Sequence, residues 1–471
     1  MSRKRRLILL LDGTWNDADI GDKDTNIVRL RDILAHGLSA LYHTPISIEE
    51  VIGNDSLAAE LGIRSHGAFD YLFFYERGVG TGPGVDRLTG GGLGWGLGQN
   101  IRRAYKFLSR NYLPGAEIFI FGFSRGAYTA RSLVGYLGSS GLLKAEHCND
   151  ELEYMAWSNY RTVPNDRMPA TRKHLEPYVH SFGEFRVACL GLFDTVGALG
   201  IPTTVLWRLN RKYYEFHDVE LSPIVRLNLH ALAIDEHREP FAASVWRQSR
   251  FRWSNSVTEQ TWFPGVHADV GGGYISSDHR TAAARDLDEV ALDWMIKRVR
   301  HYYPDLPSLD AAFPFFPSLS GQYEFGRQHD SRTWQYRCSG WALRAIGNKR
   351  PRVTGRERIV SYDRSETVVG ESIHISALER LGCDAPYRSW TNKVPYLPRN
   401  LIEALPNLYG RYCEPQTQSW PPDALTVTLW DGEVVHESRS AIESRSVVQE
   451  TIIKACQRLM CHDKLPQDIH L

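Results

Sequence analysis

A chain of 471 residues, 42% apolar and 23% charged, is long enough and apolar enough to bury a large core, which excludes a disordered or fibrous class. Lysine plus arginine equals aspartate plus glutamate at 55 each, which argues against nucleic acid as a partner, because such binders carry a basic excess. No apolar run approaches membrane-spanning length.

The N-terminal basic residues lead into Leu7 to Leu11, an apolar run closed by Asp12 that is too short for a signal-peptide core. Residues 6–11 read as a strand ending in Asp12-Gly13-Thr14-Trp15-Asn16, and a helix is expected over about 26–41. Residues 71–77 read as a second strand, leading into a glycine-rich stretch from Gly78 to Gly98. That stretch has neither G-x-G-x-x-G nor G-x-x-x-x-G-K-[ST], so it reads as a flexible loop near the site and not as a nucleotide cradle. A helix over 101–112 and a strand from 117 follow.

Residues 145–182 are polar and aromatic with helical stretches, the composition of a cap over a site. Residues 187–193 form a near-continuous apolar strand ending at Asp194. A helical stretch is expected over about 225–236, a strand over 259–263 ending near His267, and an amphipathic helix over 287–303. Strands alternating with helices predict a mostly parallel sheet with ligands at its carboxyl ends. A Pro- and Phe-rich shift near 304–317 divides a catalytic domain, 1–303, from a C-terminal α+β extension, 304–471, packed on it. In the extension, residues 425–430 and 433–437 flank Asp431-Gly432 as a hairpin. Ser446 and Gln449 read as a capping box for a last helix, with Val447, Val448, Ile452, Ala455 and Leu459 inward.

The chemistry concentrates in Gly122-Phe123-Ser124-Arg125-Gly126, a G-x-S-x-G between an apolar strand and a Pro-free helical stretch. Strand, sharp turn and helix are the setting of a nucleophile elbow, in which Ser124 is strained and its neighbours two positions away are Gly. An ordinary serine in a β-to-α turn is the bland alternative. A serine nucleophile needs a base and the base needs an orienting acid. Asp194, in Phe193-Asp194-Thr195-Val196-Gly197, is the acid at a strand end, against the alternative of a helix N-cap. His267 is the base, with Asp269 the rival acid and Asp235 a weaker one. The oxyanion hole takes one amide from Arg125 and another from Gly13 or Thr14, where a plain tight turn is the alternative. Seven scattered cysteines without C-x-x-C fit reduced thiols and a cytoplasmic location, with specialised export compatible. With no H-E-x-x-H either, no metal and no cofactor are expected.

These motifs, together with Ala233-Ile234-Asp235-Glu236, His267-Ala268-Asp269-Val270-Gly271-Gly272 and a later Ser372-Ile373-His374-Ile375-Ser376 segment, resemble the α/β-hydrolase domains grouped with the catalytic domain of type VI secretion phospholipase effectors. The resemblance spans roughly residues 6–300. It implies a serine esterase fold in which Ser124, Asp194 and His267 match the triad positions, and, for the effectors, attack on phospholipid acyl esters. The expectation is therefore an α/β-hydrolase-like serine hydrolase, free of metal, that cleaves carboxylic esters of phospholipids or other acyl lipids through an acyl-enzyme, with transient contact to a membrane surface. Two alternatives stand beside it: a hydrolase-like scaffold that binds a partner or lipid without turnover, and a small-molecule esterase.

Overall fold

The computed structural model describes residues 4–13, 25–42, 69–76, 90–162, 169–180, 183–196, 221–247, 256–274, 286–306, 326–332, 341–347, 357–359, 368–414, 420–421, 424–436 and 440–469. Thr14, residues 77–89 of the glycine-rich stretch, 163–168 and 181–182 of the expected cap and most of the 304–317 boundary lie outside them.

The organising element is a sheet of β1 (Lys4–Leu11), β2 (Phe69–Glu76), β3 (Glu117–Phe123), β4 (Val187–Phe193), β5 (Val225–Ala233), β6 (Val257–Phe263), β7 (Glu371–His374), β8 (Thr426–Thr428) and β9 (Val434–Val435). Its spatial order is β9-β8-β7-β6-β5-β4-β3-β1-β2. Every pairing is parallel except that of β8 with the edge strand β9. Parallel strands are covered on both faces, so their sequences read as apolar runs. The two faces separate by alternation along each strand. Leu7, Leu9, Ile118 and Ile120 pack toward α2 (Gly90–Asn111) and α3 (Arg125–Ser140). Ile8, Leu10, Phe119 and Phe121 join the core shared with α1 (Asn26–Tyr42) and a helix at Asp288–Tyr302.

Register places the functional segments at one end. Leu11 pairs with Gly122, and Gly122 with Leu192, so Asp12, Ser124 and Asp194 all emerge at the carboxyl edge. The amide of Ser124 donates to Phe193 O at 3.1 Å, and that of Asp194 to Ala231 O at 2.8 Å, continuing the ladder past the strand ends.

Three expectations are corrected. Residues 225–236 are not helical, because β5 runs through them in the middle of the sheet. Val225, Leu227, Leu229, Ala231 and Ala233 alternate with Arg226, Asn228 and His230, which is a strand period. The glycine-rich stretch is not loop throughout, since Gly90–Asn111 is one helix that starts well before residue 101. The last helix, Ile442–Cys461, begins ahead of Ser446, which therefore lies within it and does not cap it. Val448, Ile452, Ala455 and Leu459 are buried as expected, but Val447 is 47% exposed.

The remaining elements match closely. The Asp431-Gly432 hairpin forms, with Gly432 at φ 88°, and supplies the antiparallel edge. The same sheet thus runs through residues on both sides of 304. In the 145–182 stretch, α4 (Asp150–Arg161) packs on the flank of α2 and α3. There Glu153 pairs with Arg102, and Trp157 and Tyr160 contact the Tyr136 ring.

Candidate active site

Ser124 occupies the single residue between β3 and α3, at φ 56° and ψ −118°. A positive φ outside the left-handed helical basin is expensive for a side chain with a Cβ, on the order of 1–3 kcal/mol. Close packing imposes it. A Cβ on Gly126 would lie 2.0 Å from Leu11 O, and one on Gly122 would lie 2.7 Å from Ala127 N. Only glycine at both positions lets α3 rise this steeply against β1. The turn sets Ser124 at the start of α3, where the helix dipole favours negative charge.

Gly13 lies against the serine, since a Cβ built on it would be 3.3 Å from Ser124 Cβ. Its amide, however, donates to Asp12 Oδ1 at 2.7 Å. Asp12 also accepts from Thr25 Oγ1 at 2.8 Å and Tyr75 OH at 3.0 Å, which ties the end of β1 to its neighbours. Burial pushes the Asp12 carboxyl up to about 6, against these hydrogen bonds.

Asp194 also has positive φ, at 37°, and its carboxylate is fully buried. Its Oδ2 lies 2.6 Å from His267 Nδ1. Its Oδ1 accepts the Ala233 amide at 3.0 Å. The Arg344 guanidinium forks onto both oxygens, at 2.6 Å to Oδ1 and 2.9 Å to Oδ2. Burial alone would raise this carboxyl, but Arg344 and His267 together hold it well below the ordinary carboxylate range. Arg344 carries no local sequence signal, because its partner lies 150 residues earlier.

His267 opens a short helix, α5 (His267–Gly271), directly after β6. Its ring packs between Phe123, centroids 4.7 Å apart, and the edge of Phe241, at 5.1 Å. Its amide donates to Glu236 Oε2 at 3.3 Å. Glu236 is itself buried, and burial is outweighed by Arg238, so its carboxyl falls to about 2. The glycines after the histidine permit docking: a Cβ on Gly271 would overlap the Phe123 ring at 1.8 Å, and one on Gly272 would reach Asn26 N at 2.7 Å. Asn26 in turn donates to Val270 O at 2.9 Å.

The geometry therefore brings Asp194 and His267 into contact and places Phe123, the residue before Ser124, on the imidazole. Among the described residues, no hydrogen bond joins Ser124 to His267. Asp269 goes elsewhere: its Oδ1 is 2.5 Å from His329 Nδ1, and its Oδ2 accepts the Val266 amide at 3.0 Å. Asp235 accepts from the Gly265 amide at 2.6 Å and Tyr396 OH at 2.9 Å. Among the described residues, sequence reasoning missed Arg344, His329, Ser331 and Glu236 as neighbours of the site.

The protein is of the α/β class: a mostly parallel sheet with Asp12, Ser124 and Asp194 at the carboxyl edge, where such sheets bind ligands. The family model described as T6SS, phospholipase effector Tle1-like, catalytic domain matches residues 5–298, and the chain belongs to that family. An uncharacterized protein of Saccharomyces cerevisiae is 28% identical over 251 residues, 51% of this chain and 32% of that protein. The chain thus spans about a third of the length of this curated relative. Among solved structures, the Tle1 effector bound to the VgrG spike of the Type 6 secretion system is similar at 19% identity and TM-score 0.32, over 66% of this chain and 62% of that one. An uncharacterized protein from Pseudomonas aeruginosa is similar at 16% identity and TM-score 0.31, over 65% and 46%. Among the described residues, no helix is long and apolar enough to cross a membrane.

Proposed function

We propose that this chain is a serine hydrolase of the α/β-hydrolase type that cleaves acyl ester bonds of phospholipids. The observation that carries the reading is the pairing of a strained strand-to-helix serine, Ser124 at φ 56°, with a buried His267–Asp194 contact of 2.6 Å at the same sheet edge. The family supports lipid esters as the substrate class.

In this mechanism His267 Nε2 takes the proton from Ser124 Oγ as the oxygen attacks the ester carbonyl. Asp194 holds the Nδ1–H tautomer and stabilises the imidazolium. The oxyanion accepts from the Arg125 amide and from the amide of Gly13 or Thr14. For Gly13 to serve, its bond to Asp12 must be exchanged for the oxyanion. Collapse breaks the carbon–oxygen bond, His267 returns the proton to the leaving alcohol or lysolipid, and the acyl group remains on Ser124. Water, deprotonated by His267, then releases the fatty acid and restores the serine. No step needs a metal or cofactor.

The test is covalent labelling by a fluorophosphonate, alongside fatty-acid release from mixed phospholipid vesicles. The parent should react with both, and Ser124→Ala with neither, a loss of at least about a thousandfold in turnover. Equal labelling of parent and Ser124→Ala sinks the proposal. A folded parent that is never labelled and releases no fatty acid points to a scaffold that binds without turnover.

A further inference from the structure

The part of the chain beyond residue 298, where the family match ends, supplies three side chains that contact the carboxylates near His267. Arg344 forks onto Asp194, the carboxylate that contacts His267 Nδ1. The same guanidinium donates to Ala233 O at 2.8 Å and to Phe241 O at 2.6 Å, which fixes the strand end and the ring packed on the imidazole. Ser331 Oγ donates at 3.1 Å to Glu236, whose other oxygen accepts the His267 amide. His329 pairs with Asp269, which caps the start of the helix that His267 opens. Each of these three carboxylates thus receives a contact from outside the matched region, which for Glu236 adds to its pairing with Arg238.

We propose that Arg344 is a positioning residue for the hydrolytic reaction, and that His329 and Ser331 complete a bracket around His267. The proposal rests on the serine-hydrolase reading. A lone buried carboxylate beside an imidazole can rotate, and its charge favours the imidazolium in the resting enzyme. A bidentate guanidinium removes both freedoms: it fixes the carboxylate plane, so that Oδ2 stays aimed at Nδ1, and it balances the negative charge. His267 is then kept oriented, ready to take the serine proton. Lysine at 344 retains the charge but cannot span both oxygens.

The experiment compares parent, Arg344→Lys and Arg344→Met as full-length chains, using fluorophosphonate labelling rates and kcat/KM on a short-chain nitrophenyl ester across pH. Arg344→Lys should fold and be labelled at least about tenfold more slowly, through kcat and not KM. In Arg344→Met the acid limb of the kcat/KM profile should move to higher pH, because the Asp194 charge is no longer balanced. A structural role alone would lower the melting temperature and leave that limb in place. Parent-like rates and profiles in a folded Arg344→Lys overturn the proposal, and this variant decides the matter if Arg344→Met does not fold. If the parent itself is unreactive, the hydrolase reading fails separately. Positioning is then read from the His267 Nδ1 proton resonance, which should be sharp in the parent and lost in Arg344→Lys. An unchanged resonance overturns the proposal.

Discussion

At the residue scale, the protein spends strain and buried charge around one small volume. Ser124 and Asp194 both sit at positive φ, and Asp194 and Glu236 are ionised in the interior because guanidinium groups offset their desolvation. Asp235 shows the opposite balance. Burial pushes its carboxyl up to about 7, against hydrogen bonds from the Gly265 amide and Tyr396. The folded state therefore binds a proton that the unfolded chain releases near pH 4, so this residue's contribution is fully present below about pH 4 and is lost as pH rises through about 7. Asp235→Asn keeps an acceptor oxygen and removes the titration. Its urea midpoint should match the parent near pH 4 and exceed it near pH 8. A stability difference that does not change with pH would contradict this. Gly126→Ala should cost more than about 3 kcal/mol or abolish folding, since the added methyl would sit 2.0 Å from Leu11 O.

At the scale of elements, the β3–α3 turn was legible because its demands are local: two glycines, one serine and an apolar strand, all within the ten residues from Glu117 to Gly126. Asp194 was legible for a similar reason, as the first polar residue after a continuous apolar strand. Strand β5 was misread because Val225 to Ala233 satisfies both a helical and an alternating pattern, and only its neighbours β4 and β6 decide between them. The last helix was placed late because Ser446 and Gln449 imitate a cap, whereas the observed N-cap, Ala441, provides no side-chain hydrogen bond. Arg344 could not be found at all, because nothing local distinguishes it from the other arginines of the chain. The short helix α5 yields a prediction of its own. Gly271→Ala would force the Phe123 ring away, and that ring carries the imidazole on its other contacts. Activity should fall at least about tenfold while circular dichroism and the pH dependence of stability stay near those of the parent. Full activity would show that the helix can shift without moving His267.

For the whole molecule, the continuity of the sheet across residue 304 matters most. Strands β7, β8 and β9 complete the edge beside β6, and the third core is built by Leu232 and Trp262 together with Ile373, Leu401 and Leu408. Cutting the chain after residue 303 would expose the β6 edge and the core side chains Leu232 and Trp262. The fragment 1–303 should be insoluble or lack a cooperative melt, even though it contains Ser124, Asp194 and His267. A soluble, cooperatively melting fragment that reacts with fluorophosphonate at the parent rate would refute this, and would count against the role assigned to Arg344.

The contact between Asp194 and Arg344 also has a bearing on timing. A ribosome delivers the serine, the aspartate and the histidine well before it delivers the arginine, so every nascent chain passes through a stage that holds the reactive groups without their counter-charge. The contact between Asp194 and Arg344 can therefore close only after synthesis has passed residue 344, about 150 residues beyond the carboxylate it balances.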